Sequence, residues 1–301
     1  MATPLPNSPE PASVLPSTRS ALRPLHLWHL ASLDAPTVAV VWTLGFAWAA
    51  GVRLPEWVLL LVALVVWPVY VADRLLDARS DLARAELGRL RERHLFHWRH
   101  RRWLVPLAAM AAAIAGAILL GWVPAVVRAR DSLLGAAALA YFTRVHAPES
   151  PGGRWQRVSR WRGMLTKELL VGLLFTAGCV LPAWSRAQAA GGLLATPAVV
   201  FALLAWLNCT LIDGWESGTT TKRRFIGLAL GLAAVALAVA VLAASQPRIA
   251  LLLGAASLAA LLLAALDSWR SRLAPVTLRA LADLVLLTPL LAMGMAASIA
   301  R

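Results

Sequence analysis

Residues 56–81 read EWVLLLVALVVWPVYVADRLLDARSD, an apolar run that ends in Asp73, Asp77 and Asp81 at intervals of four. The run has close to the length that crosses hydrocarbon as a helix. On a helix the four-residue interval stacks the three carboxylates along one face, drifting by about 40° per step over roughly 12 Å. Like charges so placed repel, so a counter-charge must offset them. Two kinds are at hand. A hard divalent cation such as Mg²⁺ takes carboxylate oxygens and commonly holds substrate phosphates too, while Arg74 and Arg79 can pair with the same acids where a helix simply enters water.

The rest of the chain repeats the apolar run. Hydrophobic residues make up 59% of 301 positions and charged ones 15%, which is a bilayer composition. Stretches of spanning length or near it fall at 35–52, 56–72, 103–122, 126–142, 165–184, 192–212, 225–244, 249–267 and 280–299, nine in all. Lipid leaves segments this long and apolar one solution, so the expectation is an all-α polytopic bundle. The second is short, and the fourth carries Arg128, Arg130 and Asp131 at one end. Residues 1–22, rich in Pro, Ser and Ala, read as a disordered cytoplasmic tail without the apolar core of a signal peptide, leaving 23–301 for the bundle. Cys179 and Cys209 both fall inside expected spans, so no structural disulfide is expected.

Charge gives an orientation. With the N-terminus cytoplasmic, 23 of the 29 Lys and Arg residues lie on the cytoplasmic side; only Arg53, Arg128, Arg130, Arg186, Arg248 and Arg301 lie opposite. The bias predicts an inner or cytoplasmic membrane protein with an odd number of spans, acidic clusters cytoplasmic and the C-terminus outside. The net charge of +14 is then topological, and its spread over every loop on one side argues against a nucleic-acid surface. No obligate protein partner is implied. Most of the 14 tryptophans sit near span ends, as interface anchors do; Trp42, Trp48 and Trp206 lie deeper and could line an apolar cavity.

The cytoplasmic connections are the longer ones. Residues 83–102 read as a helical cap, with Leu87, Leu90, Phe96 and Trp98 among seven arginines. One reading lays this stretch on the anionic inner leaflet; the other makes its arginines, with His94, His97 and His100, clamps on a phosphorylated ligand. A second acidic cluster, Asn208, Asp213 and Glu216, ends the sixth expected span and is followed by Lys222 and Arg223. An amide as deep as Asn208 needs a partner and usually faces the bundle interior. Lys167 and Glu168 open the fifth span opposite Tyr141 and Arg144, and Glu168 could accept a proton. Asp34 reads as a helix cap, with Ser32 as a second start. Asp267 and Asp283 are expected at the cytosolic boundary with Arg270, Arg272 and Arg279 as partners.

These residues resemble the UbiA-type membrane prenyltransferases. The family's first motif, Asn-x-x-x-Asp-x-x-x-Asp, is similar to Asp73-Arg-Leu-Leu-Asp77-Ala-Arg-Ser-Asp81, with aspartate in the leading place. Residues 167–178, KELLVGLLFTAG, are similar to its Gly-x-x-Phe-x-x-Gly pattern, and Tyr141 stands where a family tyrosine does. The second motif departs: Asn208, Asp213 and Glu216 replace aspartates spaced by four, with Lys222 or Arg223 in place of the family's lysine.

The resemblance implies nine transmembrane helices around a cytosolic-side cavity. It also implies Mg²⁺ on Asp73, Asp77, Asp81, Asp213 and Glu216, and transfer of an isoprenyl group from an allylic isoprenyl diphosphate to a lipophilic acceptor. Arg74, Arg144, Lys167, Lys222 and Arg223, with Tyr141 and Asn208, would bind the diphosphate, and Glu168 or Glu216 would take the acceptor's proton. A membrane terpene cyclase using the same ionisation, a non-catalytic lipid-binding relative and a transporter remain open alternatives.

Overall fold

The computed structural model describes residues 22–83, 92–146, 159–217 and 222–299. The expected tail, save Leu22, and residues 84–91 of the expected cap lie outside the described residues, as do the side chains of Asp81, Arg144, Lys222 and Arg223.

The described chain is helical throughout: α1 (Arg23–Leu30), α2 (Asp34–Ala49), α3 (Glu56–Ala83), α4 (Glu92–Trp122), α5 (Ala125–His146), α6 (Ser159–Trp184), a 3₁₀ turn at Gln188–Leu194, α7 (Ala195–Ser217), α8 (Lys222–Leu242), α9 (Pro247–Trp269), α10 (Pro275–Val285) and α11 (Pro289–Ile299). Six of these are long and apolar enough to cross a membrane, or up to eight if α1–α2 and α10–α11 each count as one bent span. The chain is an all-α polytopic membrane protein. The difference from nine expected spans lies in α5, where Arg128, Arg130 and Asp131 dilute the apolar run. Arg128 donates to the carbonyls of Leu120 and Val123 at 2.8 and 2.7 Å, satisfying acceptors at the end of α4.

Two helix pairs are bent for visible reasons. Between α1 and α2 the axis turns by 88°. Ser32 sits at the corner with φ 54°, in the left-handed region that side chains other than glycine seldom adopt. Neighbours pin it: Ser32 Oγ lies 3.3 Å from His97 Nε2, and Trp67 Nε1 donates to the Ala31 carbonyl at 3.0 Å. Between α10 and α11 the turn is 42°, just before Pro289, which has no N–H to continue the helix.

The expected surface cap is corrected from Glu92 onward. Residues 92–102 continue the helix of the third expected span instead of lying flat, and His94 and His97 turn into the bundle, 2% and 0% exposed. The reason is chemical: these imidazoles meet acids and hydroxyls of other helices, partners that sequence proximity does not show. Trp42 also differs from expectation. Its ring fills the core instead of lining a cavity, stacked on Phe201 at 3.8 Å, with Nε1 donating to the Leu286 carbonyl at 2.9 Å.

Small residues set the helix spacing. Ala229, Ala233, Ala236 and Ala240 on α8 are buried along with Ala256, Ala259 and Ala260 on α9, the stripe that lets membrane helices approach without a hydrophobic driving force between them. Gly172 does the same for α6 on α7: a Cβ there would meet the Ala202 carbonyl oxygen at 2.8 Å and the Trp206 nitrogen at 3.0 Å. Gly172→Ala is therefore expected to destabilise by about 1–3 kcal/mol through overpacking. Gly178→Ala, where a Cβ meets nothing within 4 Å, should be neutral or stabilising by up to about 1 kcal/mol. Thermal unfolding in detergent compares the two, and equal midpoints would remove the close-approach role of Gly172.

Candidate functional site

One end of the bundle collects the polar residues. α3 brings Asp73 and Asp77 to it, and Arg74 Nη1 donates to Asp73 Oδ2 at 3.1 Å. The first turn of α4 crosses beside them, with His94 Nε2 at 3.6 Å from Asp77 Oδ2. The preceding residue, Arg93, places Nη2 at 3.0 Å from Glu216 Oε1 on α7, and Arg279 of α10 reaches the same oxygen at 2.6 Å. Neighbouring residues of one helix turn thus join the acid of α3 to the acid of α7. Glu168, opening the apolar part of α6, lies within electrostatic reach of Asp73, Asp213 and Glu216, and Tyr141 lies within reach of Glu168 and Asp73. Lys167 is exposed beside Glu168.

A second polar group is buried deeper at the same end. His29 Nδ1 lies 2.6 Å from Asp34 Oδ2 and 3.4 Å from Asp283 Oδ2, and Asn208 Nδ2 donates to Asp283 Oδ1 at 3.1 Å. His29, Asp34 and Asn208 are all buried, so these groups have exchanged water for one another. Asp34 is not the expected helix cap. Leu33 holds that position, and Asp34 begins α2 with one oxygen on its neighbour's N–H at 2.8 Å and the other on His29.

Asp283 does not pair with an arginine at the boundary either. Arg279, one turn earlier, goes to Glu216, and Asp283 points inward to His29 and Asn208. Asp267 is wholly buried, accepting from Trp215 Nε1 at 2.8 Å and from Arg270 at 3.3 Å; the arginine is the partner expected for it, but the depth is not.

His29, Asp34 and Asp283 each offer a ligand atom, all within 4.8 Å of one another, a grouping that could hold a metal ion. The spacing is nevertheless that of a proton bridge. Two atoms bound to one metal at 2.0–2.2 Å sit roughly 3 Å or more apart, whereas Nδ1 and Oδ2 are 2.6 Å apart. An ionised carboxylate only accepts, so Nδ1 carries the hydrogen, and in the neutral ring Nε2 keeps the lone pair. Among the described residues, His29 Nε2, Asn208 Oδ1 and Tyr141 Oη are buried without a hydrogen-bond partner.

Two cavities open at this end. One, of about 280 Å³, is walled by His29, Leu30, Glu92, Arg93, Pro275 and Arg279. The other, of about 290 Å³, lies across Arg279 against Gly214, Trp215 and Arg270.

No family model, curated protein or solved structure matches this chain. Its chemistry is therefore read from the site alone: acids from three or more helices, arginines threaded among them, and an enclosed imidazole held by two carboxylates.

Proposed function

We propose that this protein is a Mg²⁺-dependent, UbiA-like prenyltransferase of an inner or cytoplasmic membrane. It would move an isoprenyl group from an allylic isoprenyl diphosphate to a lipophilic acceptor and release diphosphate. One observation carries the reading: the carboxylates of two helix ends far apart in sequence share one end of the bundle, linked through Arg93 to Glu216 and His94 to Asp77. The reading would add α5 to the up to eight candidate spans among the described residues, with each bent pair taken as one. The polar end would face the cytoplasm, in keeping with the lysine and arginine distribution.

The donor set suits a hard cation. Asp73 and Asp77 supply oxygens, and their side chains are 33% and 37% exposed, which leaves room for water and phosphate beside a divalent ion. Asp81, Asp213 and Glu216 would extend that set. Bound there, Mg²⁺ would neutralise charge on the departing diphosphate. Arg74 and Lys167, with Arg144, Lys222 and Arg223 from the adjoining helix ends, would meet the remaining phosphate charge, and Tyr141 and Asn208 would orient the head group. Surrounding apolar helices keep the isoprenyl tail dry and limit water capture of the allylic cation.

The test is diphosphate release by the full chain in liposomes from allylic diphosphates of several chain lengths. Chelation of divalent ions is expected to lower the rate at least about tenfold, with recovery on adding Mg²⁺. A chain that releases diphosphate from none of them is not a prenyltransferase.

A further inference from the structure

We infer that His29 is the proton acceptor of this reaction, and that the acceptor substrate carries a hydroxyl group seated in the 280 Å³ cavity between α1, the first turn of α4 and the start of α10. The inference rests on the prenyl-transfer reading and gives to His29 the proton-accepting step for which the sequence offered Glu168 or Glu216.

Charge is the first argument. One carboxylate satisfies Nδ1–H of a neutral imidazole, yet His29 faces two, at 2.6 and 3.4 Å, inside an apolar bundle. Two enclosed carboxylates around a neutral ring are costly; around an imidazolium they are partly compensated. The surroundings are thus arranged for the ring with an extra proton, which is what a proton acceptor needs at the moment it acts.

Direction is the second. In the neutral ring the hydrogen bond to Asp34 fixes the tautomer and leaves the lone pair on Nε2, the atom that is enclosed and has no partner among the described residues. Buried polar atoms are nearly always paired, so one left over on a ring that also walls a cavity marks the place of a missing donor. A substrate O–H is such a donor.

The cavity walls are the third. Arg93 and Arg279 contribute guanidiniums suited to an oxygen becoming anionic, while Leu30 and Pro275 contribute apolar surface. Arg93 is the neighbour of His94, which contacts Asp77, so the cavity adjoins the acidic end where the diphosphate would lie. Glu216 is the poorer base. Its Oε1 is already ion-paired with Arg93 and Arg279, at 3.0 and 2.6 Å.

The step balances without a further reactant. The allylic C1–O bond breaks with its electron pair leaving on diphosphate, and the hydroxyl oxygen of the acceptor forms a bond to C1. The hydroxyl proton passes to His29 Nε2, and the imidazolium held by Asp34 and Asp283 later returns it to water at the polar end.

The experiment compares the parent, His29→Gln, His29→Gly and Asp77→Asn in liposomes, with allylic diphosphates and a panel of phenols and lipid alcohols. Prenylated product is read by mass spectrometry. His29→Gln is expected to lower kcat for product about a hundredfold with KM for the diphosphate within about threefold, and imidazole should restore at least about tenfold to His29→Gly but nothing to Asp77→Asn. Parental kcat in His29→Gln overturns the inference and leaves the prenyl-transfer reading intact. A loss that comes with raised KM and no imidazole rescue marks a structural role and overturns it as well. If the parent itself releases no diphosphate, the reading fails and the inference with it. Should the ring be needed for folding, Asp34→Asn keeps it and is expected to lower kcat at least about tenfold at unchanged KM; parental kcat there would overturn the assignment.

Discussion

Replacing Asp77 by asparagine is expected to slow diphosphate release about a hundredfold, because a bound cation supplies several kcal/mol of charge stabilisation and each 1.4 kcal/mol is a factor of ten in rate. Asparagine keeps the shape and one acceptor oxygen, so the loss reads out charge. Asp77 is the informative position because its carboxylate is 37% exposed at the polar end, which leaves room for a cation beside it. Glu216 is held differently, between Arg93 and Arg279. Glu216→Gln should therefore weaken diphosphate binding less than Asp77→Asn does, since it keeps an oxygen between Arg93 and Arg279 while removing a negative charge from beside the phosphate. Binding measured for both variants against the same diphosphate decides the order. Equal turnover by Asp77→Asn and the parent would remove the acidic end of α3 from catalysis.

Why the helices were readable and parts of the polar end were not follows from which interactions are local. An apolar run declares itself residue by residue, so the segments that became α3, α6, α7, α8 and α9 stand in the sequence close to where they stand in space. The start of α4 does not. Arg93, His94 and His97 look like surface until Glu216, Asp77 and Ser32 are seen opposite them, and those partners come from three other parts of the chain.

The same holds more strongly for the buried imidazole. His29 and Asp34 are five apart, a spacing that shares no helix face, and they meet only because the chain turns by 88° at Ser32. Nothing in Ser32-Leu33 announces a left-handed residue, which glycine or asparagine would have signalled. Asp283 has Arg279 one turn before it, a local partner that looks sufficient. Only the fold shows Arg279 committed to Glu216 and Asp283 turned to His29. A usable hint was present: Asp34 and Asp283 each adjoin an apolar run, and an acid that deep wants a counter-charge on another helix.

Glu216→Leu is expected to cost about 3–5 kcal/mol, the usual loss when one member of a buried ion pair is removed and its partner stays. The side chains concerned are 3% exposed for Glu216, 8% for Arg93 and 11% for Arg279, so water does little to replace the lost countercharge. Glu216→Gln keeps an oxygen to accept from them and should fall well short of that loss. Unfolding of the purified chain by a denaturing detergent, followed by helical circular dichroism, measures both. The pair is informative because the arginines come from α4 and α10 and the acid from α7, so this one carboxylate ties three helices together where the cavities open. If Glu216→Leu unfolds no more readily than the parent, the carboxylate does not anchor that junction. Arg93 and Arg279 would then owe their positions to other contacts.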